Sequence, residues 1–228
     1  MFRDLKTVTL LGALIASVVL AGCDGAEKAD RIAEARVQRV INAEAAEAAR
    51  KADLYTSKGC NTCHGDDGIH ALLPTYPVLA RQSEKYIIKQ VQDIKSGERT
   101  SGLVSVMKPF VMDLTDDEIA SLASYIADGL GDGAPIGTGT PDEESVGAKL
   151  FKTKTCTACH GKDAVSPILA SYPKIAGHTK EYAQQQMLDI KHGVRANGMA
   201  VMGMKGVMHL VTEEEIGHLA EYIASLPR

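Results

Sequence analysis

Tryptophan is missing from this chain altogether, and aromatic residues of every kind make up only 4% of its 228 residues. Large rings normally supply much of the bulk of a small core. Domains built from this sequence therefore need apolar volume from another source, and a bulky prosthetic group would provide it. No run of basic residues is long enough to track a phosphate backbone, and the formal net charge is -4, so the composition argues against nucleic acid as a partner. No apolar run reaches the ~20 residues that an ordinary membrane-spanning helix needs. There is no Ser/His/Asp set, carboxylate pair or phosphate-cradling glycine loop, so the chain does not read as an enzyme. What remains is ample for globular folding. Apolar residues reach 45%, and the length suits two small domains of roughly 100 residues each.

The cysteines identify the missing bulk. There are five, and four of them form Cys60-Asn61-Thr62-Cys63-His64 and Cys156-Thr157-Ala158-Cys159-His160. Each is a C-x-x-C-H haem attachment pattern. Two thiols at this spacing can form thioethers to the two vinyl groups of one porphyrin. The histidine that follows is then carried beneath the ring, where its imidazole can bind iron. A redox C-x-x-C pair needs no following histidine, and two thiolate pairs with two adjacent histidines make an untidy zinc set. The same pentad twice, with no structural cysteine left over, points to two covalently bound haem c groups. Cys60, Cys63, Cys156 and Cys159 are the attachment residues, and His64 and His160 the iron ligands.

An internal repeat fixes the organisation. Cys60 and Cys156 lie 96 residues apart, as do Tyr76-Pro77 and Tyr172-Pro173, Asp93-Ile94-Lys95 and Asp189-Ile190-Lys191, and Arg99 and Arg195. One residue is gained in the second copy, so Met107-Lys108 matches Met204-Lys205 and Glu118-Ile119 matches Glu215-Ile216 at an offset of 97. Each copy reads as helical. One helix precedes the pentad, a second covers about 83–95 and 179–191, and a third opens on a capping box, Thr115 with Glu118 and Thr212 with Glu215. Its apolar stripe, Ile119, Leu122, Ala123 and Ile126, recurs as Ile216, Leu219, Ala220 and Ile223 with helical spacing. No stretch alternates like a long strand, so the expected fold is all-α. The expected domains are 44–128 and 146–228, joined by a linker at 129–145 whose glycines and prolines argue against a buried element.

The N-terminus reads as a leader. Arg3 and Lys6 precede a 14-residue apolar run, Val8 to Ala21, and Leu20-Ala21-Gly22-Cys23 follows. That tetrad resembles the bacterial lipoprotein signal, which implies removal of the first residues, lipidation of Cys23 and anchoring on the periplasmic side of a membrane. Asp24 directly after the cysteine resembles the signal for retention in the inner membrane of enteric-type bacteria. Residues 24–43 form a charged, Ala-rich spacer, read as a helix with a thin apolar stripe (Ile32, Val37, Val40, Ile41), the alternative being a flexible tether.

The second axial ligand decides what the iron can do. An open position allows oxygen or peroxide chemistry, whereas a filled one restricts the iron to electron exchange. In the first copy the candidates are His70, Met107 and Met112. His70 follows His64 too closely to reach the other face, and Met107 is expected on a loop before the third helix. In the second copy Met199, Met202, Met204 and Met208 are in range. Counting twelve residues back from Ile119 and from Ile216 gives Met107 and Met204, each followed by lysine, with Met202 the main rival. His/Met ligation raises the reduction potential and keeps both ligands on iron in both states. Arg81, Arg99 and Arg195 are candidates for binding haem propionates, as are Tyr76 and Tyr172. His178, His192, His209 and His218 read as surface or partly buried residues.

Together these features resemble the dihaem cytochromes c4. The resemblance covers about residues 44 to 228. It rests on both pentads, each followed by glycine, on Tyr86 to Gly97 and its counterpart Tyr182 to Gly193, and on Met107 and Met204 ahead of Leu-Thr-Asp-Asp-Glu-Ile and Val-Thr-Glu-Glu-Glu-Ile. It implies two tandem class I cytochrome c domains related by a pseudo-twofold, with the haems near each other across the interface. It further implies a carrier of single electrons between the cytochrome bc1 complex and a terminal oxidase, often of the cbb3 type. The rival is a dihaem electron-transfer subunit of a periplasmic dehydrogenase, such as one oxidising sulfide or thiosulfate. The lipid signal and the spacer depart from the soluble members and suggest a tethered form.

Overall fold

The computed structural model describes the backbone of residues 5–131 and 133–228, and the side chains of residues 27–131 and 133–228. The leader expected at 1–23, with Cys23, lies outside the described side chains. Among the described residues there are ten helices and no strand: α1 (Leu5–Ser57), α2 (Cys60–His64), α3 (Glu84–Ser96), α4 (Val104–Val111), α5 (Asp116–Asp128), α6 (Val146–Thr153), α7 (Cys156–His160), α8 (Lys180–Lys191), α9 (Met199–Met208) and α10 (Glu213–Ser225). None of them, among the described residues, is long and apolar enough to cross a membrane. The chain divides into two units, Met1–Ala49 and Arg50–Arg228. In the first, residues 27–49 are helical and almost wholly exposed, including Ile32, Val37, Val40 and Ile41. The Glu27–Arg31 pair sits at helical spacing on that surface.

The second unit holds both copies of the repeat, and local chemistry explains why the helices start where they do. Thr115 accepts from the Glu118 N–H while the Glu118 carboxylate accepts from the Thr115 N–H, and Thr212 with Glu215 does the same. Both capping boxes read from the sequence are therefore formed. Ser145 and Thr179 cap α6 and α8 through their hydroxyls. Each copy has its own core. In the first, Ile119, Leu122, Ala123 and Ile126 of α5 are buried with Tyr55, Val78 and Ile94, and in the second Ile216, Leu219, Ala220 and Ile223 of α10 are buried with Phe151, Met187 and Ile190. Fully burying one such Leu or Ile side chain contributes roughly 1.5–3 kcal/mol.

The linker departs from the expectation that it is too polar to be buried. Leu130 and Ile136 are buried in the first core. Thr138 N–H donates to the Ala224 carbonyl, and Arg228 N–H donates to the Ile136 carbonyl. The segment escapes the usual penalty for buried backbone because its polar groups pair with the C-terminal residues.

The two copies meet through reciprocal bonds. Ser83 Oγ donates to the Ala170 carbonyl, and its counterpart Thr179 Oγ1 donates to the Pro74 carbonyl. Arg99 Nη2 donates to Gln186 Oε1 at 3.1 Å, and Arg195 Nη2 to Gln90 Oε1 at 2.9 Å. When residue i meets j of the other copy and j meets i, the interface is that of a twofold. At one matched pair the chemistry differs. The Gln82 amide makes two bonds to the Lys174 backbone, both 2.8 Å, whereas His178 Nδ1 accepts from the Val78 N–H at 3.3 Å. His178 is thus buried at this interface, where a surface or partly buried residue was expected. It lies against Tyr182, with ring centroids 4.9 Å apart.

Candidate haem sites

Each copy builds one cavity from the same parts. The pentad folds as a single helical turn, α2 or α7, entered through a left-handed residue, Gly59 or Thr155. Gly65 and Gly161 end these turns at φ 80° and 81°, and a Cβ on either would lie 2.5 Å from the carbonyl oxygen of His70 or Ser166. The loop therefore closes under the histidine only with glycine there. Leu72 N–H then returns to the Cys63 carbonyl, and Ile168 N–H to that of Cys159.

The first cavity, about 150 Å³, is lined by Cys60, Cys63, His64, Tyr76, Pro77, Arg99 and Met107, with Ile87, Ile94, Leu122 and Ile126 behind. The second, about 590 Å³, is lined by Cys156, Cys159, His160, Tyr172, Pro173 and Met204, with Met187, Leu219 and Ile223 behind. Phe110 projects along the first, where the matched residue of the second copy is the smaller Val207. The larger cavity falls in the ~300–1,000 Å³ range of cofactor sites.

His64 Nδ1 lies 3.3 Å from the Pro77 carbonyl oxygen, and His160 Nδ1 lies 3.1 Å from that of Pro173. A carbonyl can only accept, so Nδ1 carries the proton and Nε2 keeps its lone pair, the form required of an iron ligand. Burial pulls both imidazoles below their usual pKa, the Pro carbonyls opposing it, so they are neutral at pH 7. Burial pushes the Cys60 and Cys156 thiols up to about 11. Paired thiols, a lone imidazole nitrogen, a thioether and an apolar lining are the donor set and surroundings that haem c requires, and the residues fit that group.

The methionines separate by position. Met107 lies on α4 and Met204 on α9, and both line the cavities. The loop expected at Met107 is therefore helical, and α4 runs through Pro109. Pro109 is the sixth of the eight residues of α4, so the helix forgoes the bond that an N–H at this position would make to the Ser105 carbonyl. Met112 is half exposed and outside the first cavity. Met202 is largely exposed and outside the second, whereas Met208 is buried and also lines it. Met199 borders the second cavity but is 88% exposed. His70 is exposed and bonded to Asp67.

Sequence reasoning missed the wall between the sites. Tyr86, Gln90, Tyr182 and Gln186 line both cavities. Arg99 and Arg195 are buried beside them. Arg99 Nη1 donates to Gln90 at 2.9 Å, and Arg195 donates to Gln186 at 2.8 Å and to the Tyr86 hydroxyl at 3.2 Å. The flanking guanidiniums hold the Tyr86 hydroxyl below its usual pKa despite its burial. The signal for this wall was the exact repetition of Tyr, Gln and Arg at an offset of 96. Nothing in periodicity distinguishes a residue facing a neighbouring domain from one facing its own core.

Residues 145–227 match the family model described as cytochrome c, and residues 46–126 match that described as cytochrome c oxidase, cbb3-type, subunit III. The fold and the paired sites define a two-domain, all-α cytochrome c with two covalently bound haem c groups. The chain is 33% identical to cytochrome c4 of Stutzerimonas stutzeri over 73% of its own length and 84% of the relative's. It superposes on the solved cytochrome c4 of Acidithiobacillus ferrooxidans with a TM-score of 0.65 at 26% identity, covering 75% of this chain and 99% of that one. It is also 30% identical to a protein named thiosulfate dehydrogenase electron acceptor of S. stutzeri A1501, over 79% and 88% of the two chains. The chain belongs to the cytochrome c4 family, and it is an electron-transfer cytochrome.

Proposed function

We propose that the protein is a lipid-anchored periplasmic carrier that passes single electrons from a bc1-type complex to a terminal oxidase, with no catalytic step of its own. The observation that carries this reading is that each cavity presents a paired-thiol turn and a carbonyl-held histidine together with a methionine matched across the repeat, Met107 in the first and Met204 in the second. Cys60, Cys63, Cys156 and Cys159 attach the two haems. His64 with Met107, and His160 with Met204, would hold the two irons. When bound, each haem supplies a reversible one-electron iron couple. The Pro77 and Pro173 carbonyls fix the imidazoles in the ligand tautomer. The methionine thioethers favour the reduced state and bias the sites to high potential. The apolar linings exclude water, which limits rearrangement when charge arrives. Tyr86, Gln90, Tyr182 and Gln186, shared by both cavities, form the layer that would separate the two haems. Lipidation of Cys23 would confine the carrier near its membrane partners and raise their effective concentration.

The experiment is purification from native membranes of the wild type and of Cys23→Ser. The wild type is expected in the membrane fraction, together with an oxidase that it reduces, and the variant in the soluble fraction. Equal solubility of the two would remove the anchor. The resemblance to a thiosulfate dehydrogenase electron acceptor favours a second reading, in which the donor is a periplasmic dehydrogenase. Recovery of such a dehydrogenase in place of the bc1 complex would establish that reading.

A further inference from the structure

The domain interface follows its twofold closely and breaks it at one place. Arg195 Nε donates to Asn197 Oδ1 at 3.4 Å, and Asn197 Nδ2 donates to Asp93 Oδ2 at 2.6 Å. One carboxamide thus joins a guanidinium to the carboxylate of the opposite domain. The matched residues are Arg99, Ser101 and Asp189. Arg99 Nε, Ser101 Oγ and Asp189 Oδ2 are buried, and none has a hydrogen-bond partner in the protein. They are the guanidinium and carboxylate atoms that the carboxamide links in the twin, plus the shorter side chain that stands in its place. The surroundings correspond. Arg99 N–H donates to the Asp93 carbonyl and Arg195 N–H to the Asp189 carbonyl, both at 2.9 Å. The chain at Ser101 and Gly102 passes beside Asp189, since a Cβ on Gly102 would lie 3.6 Å from Asp189 Oδ2.

We infer that a single internal water molecule is bound between Arg99, Ser101 and Asp189, filling the role that the Asn197 carboxamide fills on the other side. It accepts from Arg99 Nε–H, donates to Asp189 Oδ2 and shares a hydrogen bond with Ser101 Oγ. Three such partners are typical of a buried water. Arg99 and Ser101 also line the first cavity, which makes a haem propionate the rival occupant. A propionate oxygen can accept from Arg99 and Ser101, but it would set a second anionic oxygen against Asp189 Oδ2, and like charges at such range repel. The twin agrees. Asn197 borders the second cavity and links Arg195 to Asp93 through its own carboxamide. The Arg99 guanidinium disfavours a metal cation. The first cavity therefore has a mobile dipole at its wall where the second has a fixed one.

High-resolution crystal structures and thermal unfolding of the haem-loaded wild type, Ser101→Asn and Asn197→Ser test this. The wild type is expected to show one water within hydrogen-bonding distance of Arg99 Nε and Asp189 Oδ2. Ser101→Asn should displace it and raise Tm by roughly 2–4 °C, the shift expected of about 1 kcal/mol in a domain pair of this size. Asn197→Ser should admit a second water and lower Tm by a similar amount, and it decides the matter if Ser101→Asn fails to fold. A propionate oxygen at the wild-type site, or no bound atom there, would overturn the inference. So would an Asn197→Ser protein with no new water.

Discussion

In the first haem domain the residues with left-handed backbone at three matched points are Gly59, Gly68 and Arg81, and in the second they are Thr155, Ala164 and Gly177. The loops carry the same bonds in both. The Gly68 carbonyl accepts from Leu79 and Ala80, and the Ala164 carbonyl from Ile175 and Ala176. Arg81 N–H meets the Ile126 carbonyl as Gly177 N–H meets that of Ile223. Glycine therefore does not dictate the loop. Tertiary hydrogen bonds do, strongly enough to hold alanine or threonine in a conformation that costs roughly 1–2 kcal/mol. Where one copy insists on glycine the reason is a neighbour. A Cβ on Gly68 would lie 2.3 Å from Leu130 Cδ2, a side chain that the linker contributes to the first core.

The comparison can be broken most sharply at the proposed sulfur ligands. Met107→Ala and Met204→Ala should each abolish the methionine-to-iron charge-transfer band of one haem, leave the other, and let the altered iron bind carbon monoxide. Visible spectra of the ferric and ferrous proteins check this, and a full band in either variant would reassign the ligand. A smaller effect is expected at the loops. Gly68→Ala should cost about 2–4 kcal/mol from overpacking against Leu130 and a strained backbone, whereas Ala164→Gly should change stability by less than about 1 kcal/mol, the relief of strain being offset by unfolded-chain entropy. Denaturant unfolding of the two variants gives both numbers. Equal costs would mean that the copies are not packed differently.

The smallest effect concerns the interface pair Gln82 and His178. Burial, assisted by the Arg228 guanidinium, holds His178 well below its usual pKa. Its Nδ1 accepts from the Val78 N–H, so protonation would break that bond, and Tyr182 is the other titratable group against the ring. The unfolded chain takes up a proton below about pH 6.5 and the folded one does not. The neutral imidazole's contribution is thus complete above that pH and is lost progressively as pH falls toward the depressed native value. His178→Gln, which installs the residue of the first copy, should flatten the fall of Tm between about pH 6.5 and 5. An unchanged slope would place the acid sensitivity elsewhere.

Much of this protein is legible in one dimension, because its decisive features are local or repeated. The pentads are read from five consecutive residues. The capping boxes at Thr115 and Thr212 are read from four, and the stripes of α5 and α10 from one helical period. The offset of 96 and 97 then singles out Met107 and Met204 from among eight methionines. The helical state of α4 was not legible, since Pro109 and a short apolar run look alike in loop and helix. Nor was the burial of Ile136, which depends on a backbone partner at Arg228 some ninety residues away.

The sequence by itself determined the cofactor, its number and the all-α pattern, because thioether attachment and helix capping need only neighbours in the chain. Only the tertiary structure decided what lies between the two sites. The roles of Arg99, Arg195, Gln82 and His178 depend on groups from the other domain. A twofold contact between domains leaves no spacing in the chain from which those partners can be read.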